Sequence, residues 1–138
     1  MEMKYLHLET KEREKILKKI KTILEKDENI ILAFVHGSFL SNAPFRDIDV
    51  AVLLRDEEKA FEYVIYKNVK LEKEIGLPID TQVLNNAPVT FKHSVITRGK
   101  LLFTRNKKEL HKFIEKTLKE YWDLKTLIKH NTPSQNTN

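Results

Sequence analysis

Two aspartates, Asp47 and Asp49, stand two residues apart where a polar segment meets a run of apolar residues. Because side chains alternate between the two faces of a β-strand, both carboxylates are predicted to lie on the same face. Two carboxylates so placed repel each other. A divalent cation such as Mg²⁺, which binds carboxylates and phosphates, would relieve the repulsion. The spacing alone is also compatible with Asp47 capping a loop and Asp49 pairing with Arg46.

A glycine and a serine end the apolar run that precedes this pair. Gly37 has no Cβ, so its backbone can approach a ligand closely, and turn N–H groups together with the Ser38 hydroxyl can bind phosphate. In isolation the same dipeptide is typical of an ordinary tight turn. Next to the two aspartates it predicts a phosphate-binding loop.

A third carboxylate, Asp80, lies near the start of the segment 79–84 and shares its strand parity with Gln82. If this strand lies beside the strand of Asp47 and Asp49, Asp80 can reach a second metal ion and accept the proton of an attacking hydroxyl. The alternative is a polar residue on an edge strand. The first interpretation requires all three carboxylates on one face of the sheet.

Apolar runs and amphipathic segments alternate along the chain, which predicts an α/β or α+β fold with about four strands flanked by helices. The predicted strands are 30–35, 48–54, 79–84 and 100–104. The predicted helices are 10–26 with Thr10 as N-cap, 56–75 with Asp56 as N-cap, 88–99, and a last one capped by Asn106. The second helix is expected to turn five apolar residues inward: Phe61, Val64, Ile65, Leu71 and Ile75. We expect a single domain over 1–130 and a disordered tail at 131–138.

The composition limits the classes of function. The 138 residues contain no cysteine, so disulfides, thiolate nucleophiles and cysteine-bound zinc are excluded. No stretch of about 18 apolar residues is present to span a membrane, and we expect a cytoplasmic protein. The net charge of +5 favours acidic partners, but lysines alternate with glutamates as on solvated helix faces, so direct binding to nucleic acid is not expected.

The order of these motifs resembles a known family. The string 35–38 (VHGS), eight further residues and then 47–49 (DID) is similar to the signature of the polymerase β-like nucleotidyltransferase superfamily, and especially of its minimal MNT-domain members. The likeness continues through the segments 78–80, 83–88, 96–103 and 120–123. It implies a mixed sheet flanked by helices, with these site residues: Asp47, Asp49 and Asp80 as catalytic metal ligands, and Gly37 and Ser38 as ligands of nucleotide phosphate.

The resemblance also implies an activity and a partner. MNT-domain proteins are typically encoded beside a HEPN-domain ribonuclease toxin and act as its antitoxin, by transferring AMP from ATP to a tyrosine of the toxin. For this chain the resemblance therefore implies a Mg²⁺-dependent nucleotidyltransferase with ATP as substrate and a HEPN toxin as partner. Either a homo- or a hetero-oligomer is compatible with that function.

One position departs from many members of this family, which carry an Arg-Gly pair where this chain has Ser41 and Asn42. Asn42 can adopt the left-handed conformation of a glycine, but Ser41 cannot supply the charge of an arginine. The departure favours weak activity, or a second hypothesis in which the fold is a binding module that neutralises its partner by contact. A third hypothesis keeps nucleotidyl transfer but directs it to the hydroxyl of a small molecule.

Overall fold

The computed structural model describes residues 4–131, which form one four-stranded sheet and the helices around it. The helices are α1 (Thr10–Glu25), α2 (Ala60–Ile75), α3 (Val89–Arg98) and α4 (Lys107–His130). The strands are β1 (Ile30–His36), β2 (Ile48–Leu54), β3 (Ile79–Val83) and β4 (Lys100–Thr104), and a short 3₁₀ turn, Ser38–Leu40, follows β1. The predicted α/β architecture with about four strands is confirmed.

The sheet has the strand order β3-β2-β1-β4 and is mixed. β1 runs antiparallel to both β2 and β4, whereas β2 and β3 are parallel and are joined by α2. Asp49 of β2 is paired with His36 of β1 on one side and with Asp80 of β3 on the other. The strand of Asp80 is therefore the neighbour of the strand of Asp49, although it is also an edge strand.

Helices cover both faces of the sheet, which explains why β1 and β2 are apolar on both sides. On one face, α1 and α2 pack against the sheet in a buried cluster that includes Leu17, Ile20, Val35, Val50, Val52 and Leu71. On the other face, α3 and α4 cover a smaller cluster that includes Leu32, Phe34, Ala51, Val95, Leu110 and Phe113. Asp49 has the strand parity of Ala51, so its carboxylate lies on the face covered by α3 and α4.

Two of the predicted N-caps differ from the structure and one is confirmed. Thr10 is the first helical residue of α1 rather than its cap. Asp56 does not cap α2, which begins at Ala60, and instead accepts a hydrogen bond from the amide of Glu58 in the preceding turn (2.9 Å). Asn106 caps α4 as predicted and accepts hydrogen bonds from two amides of the first turn, at 2.9 and 3.3 Å.

The orientation of α2 also differs from its prediction. Phe61 and Ile65, which were expected to point inward, are 78% and 50% exposed, whereas Leu71 is buried as predicted. The buried face carries Lys67, whose ammonium group forms an ion pair with Asp27 at 2.7 Å. Apolar periodicity could not predict this orientation, because it treats a lysine as a surface residue.

None of the helices within residues 4–131 is both long enough and apolar enough to cross a membrane. α4 ends at His130, and the tail predicted for 131–138 lies, apart from Asn131, outside the described residues. The single domain expected over 1–130 stays a prediction.

Candidate active site

Three carboxylates meet where β2 and β3 begin. Asp49 and Asp80 are paired across the parallel register of these strands, and Asp47 directly precedes β2 with the parity of Asp49. Asp47, Asp49 and Asp80 each offer an oxygen within 4.8 Å of the other two, and all three residues are half-buried. The structure thus brings the three predicted residues together, while their catalytic and metal-binding roles stay predictions.

The three carboxylates of this cluster repel one another. Burial raises the pKa of the Asp49 carboxyl, and the charges of Asp47 and Asp80 raise it further. A charge on His36 and a hydrogen bond from Gln82 act in the opposite direction, but the net shift in pKa is upward. A divalent cation would offset the repulsion, and carboxylate oxygens are the ligands that Mg²⁺ prefers, so the residues present fit such an ion.

A hydrogen-bonded chain of side chains supports Asp80 from β3 and β1. The Gln82 amide nitrogen donates to Asp80 Oδ2 at 2.8 Å, and the Gln82 amide oxygen lies 2.7 Å from His36 Nε2. Because that oxygen can only accept, His36 donates through a protonated Nε2. Phe91 of α3 packs edge-on against the His36 ring, with 5.4 Å between the ring centroids. Sequence reasoning did not include Gln82 or His36 in the site; the available signal was the strand parity that Gln82 shares with Asp80.

Gly37 makes room for one of the carboxylates. Its backbone has φ 84° and ψ −167°, a region that is essentially restricted to glycine. A Cβ at this position would lie 2.5 Å from Asp49 Oδ2. The missing Cβ of Gly37 therefore leaves space for the Asp49 carboxylate in its present position. The predicted role of Gly37 in the close approach of a ligand to the backbone stays a prediction.

Ser38 begins the 3₁₀ turn that follows. The amides of Leu40 and Ser41 donate to the carbonyls of Gly37 (3.1 Å) and Ser38 (3.0 Å). The Ser41 hydroxyl donates to the Ser38 carbonyl (2.8 Å) and accepts from the amide of Ala43 (3.2 Å). Since this turn contacts both β1 and β2, the predicted phosphate-binding segment lies beside the carboxylates.

A cavity of about 640 Å³ lies elsewhere, on α3 and α4. Its lining includes Thr90, Tyr121, Trp122 and Lys125 and none of the three carboxylates. The candidate active site is therefore assigned by the chemistry and geometry of its side chains rather than by cavity volume.

A comparison with protein-family models identifies a family for most of this chain. A family model described as "Polymerase beta, Nucleotidyltransferase" matches residues 18–108. This segment contains Gly37, Ser38 and all three aspartates. A search of curated proteins found no match.

Solved structures with the same fold include several toxin–antitoxin complexes. The tri-AMPylated Shewanella oneidensis HEPN toxin in complex with MNT antitoxin contains a chain that is 24% identical, with a TM-score of 0.70 over 86% of this chain and 93% of that chain. The toxin–antitoxin MntA-HepT structure gives 24% identity and a TM-score of 0.68 over 85% and 93%. A toxin–antitoxin structure with AMP-PNP gives 24% identity and a TM-score of 0.67 over 83% and 93%. At these identities the likeness shows a shared fold.

Proposed function

Because this chain belongs to the polymerase beta nucleotidyltransferase family, we propose that it transfers AMP from ATP to a tyrosine hydroxyl of a HEPN toxin and acts as its antitoxin. The observation that carries the proposal is the cluster of Asp47, Asp49 and Asp80 beside the Gly37–Ser38 turn. The partner is suggested by the fold relatives, which are described as toxin–antitoxin complexes, one with a tri-AMPylated toxin and one with AMP-PNP.

In this proposal Asp47, Asp49 and Asp80 hold Mg²⁺. The ion would supply positive charge to the phosphates and orient them for displacement. The fit is supported by the all-carboxylate donor set, by the raised pKa of Asp49, and by the Gly37 backbone, whose missing Cβ leaves space for the Asp49 carboxylate. Since ATP is the donor, we expect the protein to act in the cytoplasm.

The residues of the chain have separate tasks in the proposed reaction. Gly37 and Ser38 bind the phosphates of ATP through backbone amides and the serine hydroxyl. The acceptor hydroxyl oxygen attacks the α-phosphorus, the new O–P bond forms as the bond to the bridging oxygen breaks, and pyrophosphate leaves. Asp80 takes the hydroxyl proton, and its orientation is maintained by the hydrogen bond from Gln82.

A second candidate function is neutralisation of the toxin by contact alone. The observation that favours it is the presence of Ser41 and Asn42 where many family members carry an Arg-Gly pair. In the structure the Ser41 hydroxyl is engaged in hydrogen bonds within its own loop. The two functions differ in whether the carboxylates are needed for neutralisation.

The substitution Asp49→Asn separates them. An amide is a poor Mg²⁺ ligand and carries no charge, so we expect transfer to fall by about 10³-fold or more. The fold should be preserved, because the change removes one of three mutually repelling charges. Asp56→Asn is the matched control, since Asp56 lies in the turn before α2 and accepts a hydrogen bond that an asparagine can also accept.

The assay mixes purified protein with the HEPN toxin encoded beside its gene and with labelled ATP. Label on the toxin and residual ribonuclease activity are then measured. Wild type and Asp56→Asn are expected to label and silence the toxin, whereas Asp49→Asn does neither although it still binds the toxin. If Asp49→Asn silences the toxin stoichiometrically and without ATP, contact is the mechanism and the proposed transfer is wrong.

A further inference from the structure

A buried arginine of α1 donates hydrogen bonds to the backbone of the loop that follows Gly37. Arg13 is 5% exposed, and its Nε donates to the carbonyl of Leu8 at 2.8 Å. Its two terminal nitrogens donate to four carbonyls of the loop: Ser38 (3.4 Å), Phe39 (3.0 Å), Ser41 and Ala43 (2.9 Å). One side chain thus binds four of the six residues of the segment 38–43, which we call the phosphate loop.

Aromatic packing fixes the guanidinium in this position. The Arg13 Cζ atom lies 5.5 Å from the ring centroid of Phe39 and 5.0 Å from that of Phe45. These rings pack edge-on against each other, with centroids 4.8 Å apart, and both are fully buried. A buried guanidinium must have its hydrogen bonds satisfied, and here carbonyls of the phosphate loop satisfy most of them. The loop conformation and the burial of Arg13 therefore depend on each other.

The orientation of the carbonyls determines that of the amides. In a trans peptide the C=O and the following N–H point in opposite directions. Because the carbonyls of Ser38 and Ser41 are directed at Arg13, the amides of Phe39 and Asn42 are directed away from it. Amides that point away from the guanidinium are oriented to donate to an anion on the other side of the loop, as backbone amides do in anion-binding turns.

We propose that Arg13 is a positioning residue that holds the phosphate loop in its ligand-binding conformation before ATP arrives, without contacting ATP itself. The inference rests on the proposed function for the identity of the ligand. A loop that is already ordered adds no ordering cost to binding, so loss of Arg13 should weaken ATP binding and leave the chemical step unchanged. Lysine should not replace arginine, because it carries three donors on one nitrogen and lacks the planar fork.

The test compares two buried cations. Arg13→Met keeps an apolar side chain against the two phenylalanine rings and removes the donors. Lys67→Met is the matched control, because Lys67 is 3% exposed and its ion pair joins α2 to the turn after α1. Both variants should unfold at lower urea concentration than wild type. Only Arg13→Met is expected to raise the Kd for Mg·ATP, by about tenfold or more, and to raise KM for ATP with kcat at saturating ATP little changed.

Two further measurements complete the test. Arg13→Lys keeps the charge, and its Kd for Mg·ATP is expected to be higher than that of wild type. A wild-type Kd in either Arg13 variant would overturn the proposal, and so would an equal rise of the Kd in Lys67→Met. Hydrogen exchange on wild type without ATP is expected to show protection of the Leu40 and Ser41 amides, which donate to the carbonyls of Gly37 and Ser38, and free exchange of both would also overturn the proposal. Wild type that fails to label the toxin contradicts the proposed function instead, and the exchange result is independent of that failure.

Discussion

At the scale of single residues, Gly37 links backbone conformation to the geometry of the active site. Its positive φ lies between the end of β1 and the 3₁₀ turn, and its missing Cβ leaves space for Asp49 Oδ2. The described chain has a second positive-φ glycine, Gly76 at the end of α2, with φ 82° and no atom within 4 Å of a Cβ built there. The two positions share an unusual φ but differ in what a side chain would meet.

Alanine substitutions at Gly37 and Gly76 test this difference. Gly37→Ala should displace the Asp49 carboxylate and lower nucleotidyl transfer by about 100-fold or more, since small misplacements of reacting groups have effects of that size. Gly76→Ala should cost about 1 kcal/mol of stability for its left-handed backbone and leave transfer unchanged. The measurements are initial rates of toxin labelling and urea unfolding. A Gly37→Ala variant with wild-type rates would show that Asp49 tolerates the added methyl group.

At the scale of secondary-structure elements, the orientation of α2 is determined by a polar contact. Lys67 pairs with Asp27, and the hydroxyl of Tyr63 donates a hydrogen bond to the same carboxylate. Burial and the neighbouring Asp27 charge raise the pKa of Tyr63, so the phenol stays protonated and able to donate. With Lys67 and Leu71 turned inward, Phe61 is left on the exposed side of the helix.

This orientation predicts very different losses of stability for two apolar substitutions in α2. Leu71→Ala should lower the free energy of unfolding by about 3 kcal/mol, because it leaves a cavity in the core between helix and sheet. Phe61→Ala removes a larger side chain that is 78% exposed, and should change stability by no more than about 0.5 kcal/mol. Urea unfolding monitored by circular dichroism measures both. Equal losses would support the inward-facing Phe61 that apolar periodicity predicts.

At the scale of the whole molecule, the packing of α1 and α2 on one side of the sheet supports a site on the other. α1 carries Arg13 beneath the phosphate loop, and the turn after α1 carries Asp27, which anchors Lys67 of α2. α2 in turn joins β2 to β3 and so permits their parallel pairing. The parallel pairing that brings Asp49 beside Asp80 thus uses a connection, α2, that lies outside the site.

Acid should weaken the contact between Asp27, in the turn after α1, and Lys67 of α2. Burial alone would raise the pKa of Asp27, but hydrogen bonds from Lys67 and Tyr63 outweigh burial and lower the pKa below its ordinary value. A carboxyl with a lower pKa in the folded state contributes stability above its unfolded pKa and loses that contribution as pH falls below it. Asp27→Asn should therefore be less stable than wild type at about pH 6 and should lose less stability between about pH 5 and about pH 3. Urea midpoints at these pH values test this, and parallel losses in both proteins would contradict it.

Much of the fold was accessible from sequence because the strands are apolar on both sides. The bounds of β2 and β4 agree with their predictions, and the strand parity of Asp47 and Asp49 correctly placed their carboxylates together. The orientation of α2 was not accessible, because the contact that determines it joins residues 40 positions apart. For Gln82 the sequence showed only that it shares the strand parity of Asp80, to which it donates a hydrogen bond. Its contact with His36 depends on the strand order, which the sequence did not give.

By itself the sequence determined the strands, the N-cap of the last helix, and the order of the glycine, serine and aspartates that identifies the family. These features depend on local alternation and on residue types close together in the chain. Tertiary structure alone decided that β3 lies parallel to β2, that the Gly37 backbone makes room for Asp49, and that Arg13 lies beneath the phosphate loop. The physical reason is that long polar side chains find their partners across the fold. Their hydrogen bonds are therefore set by how the elements pack rather than by the residues next to them in the chain.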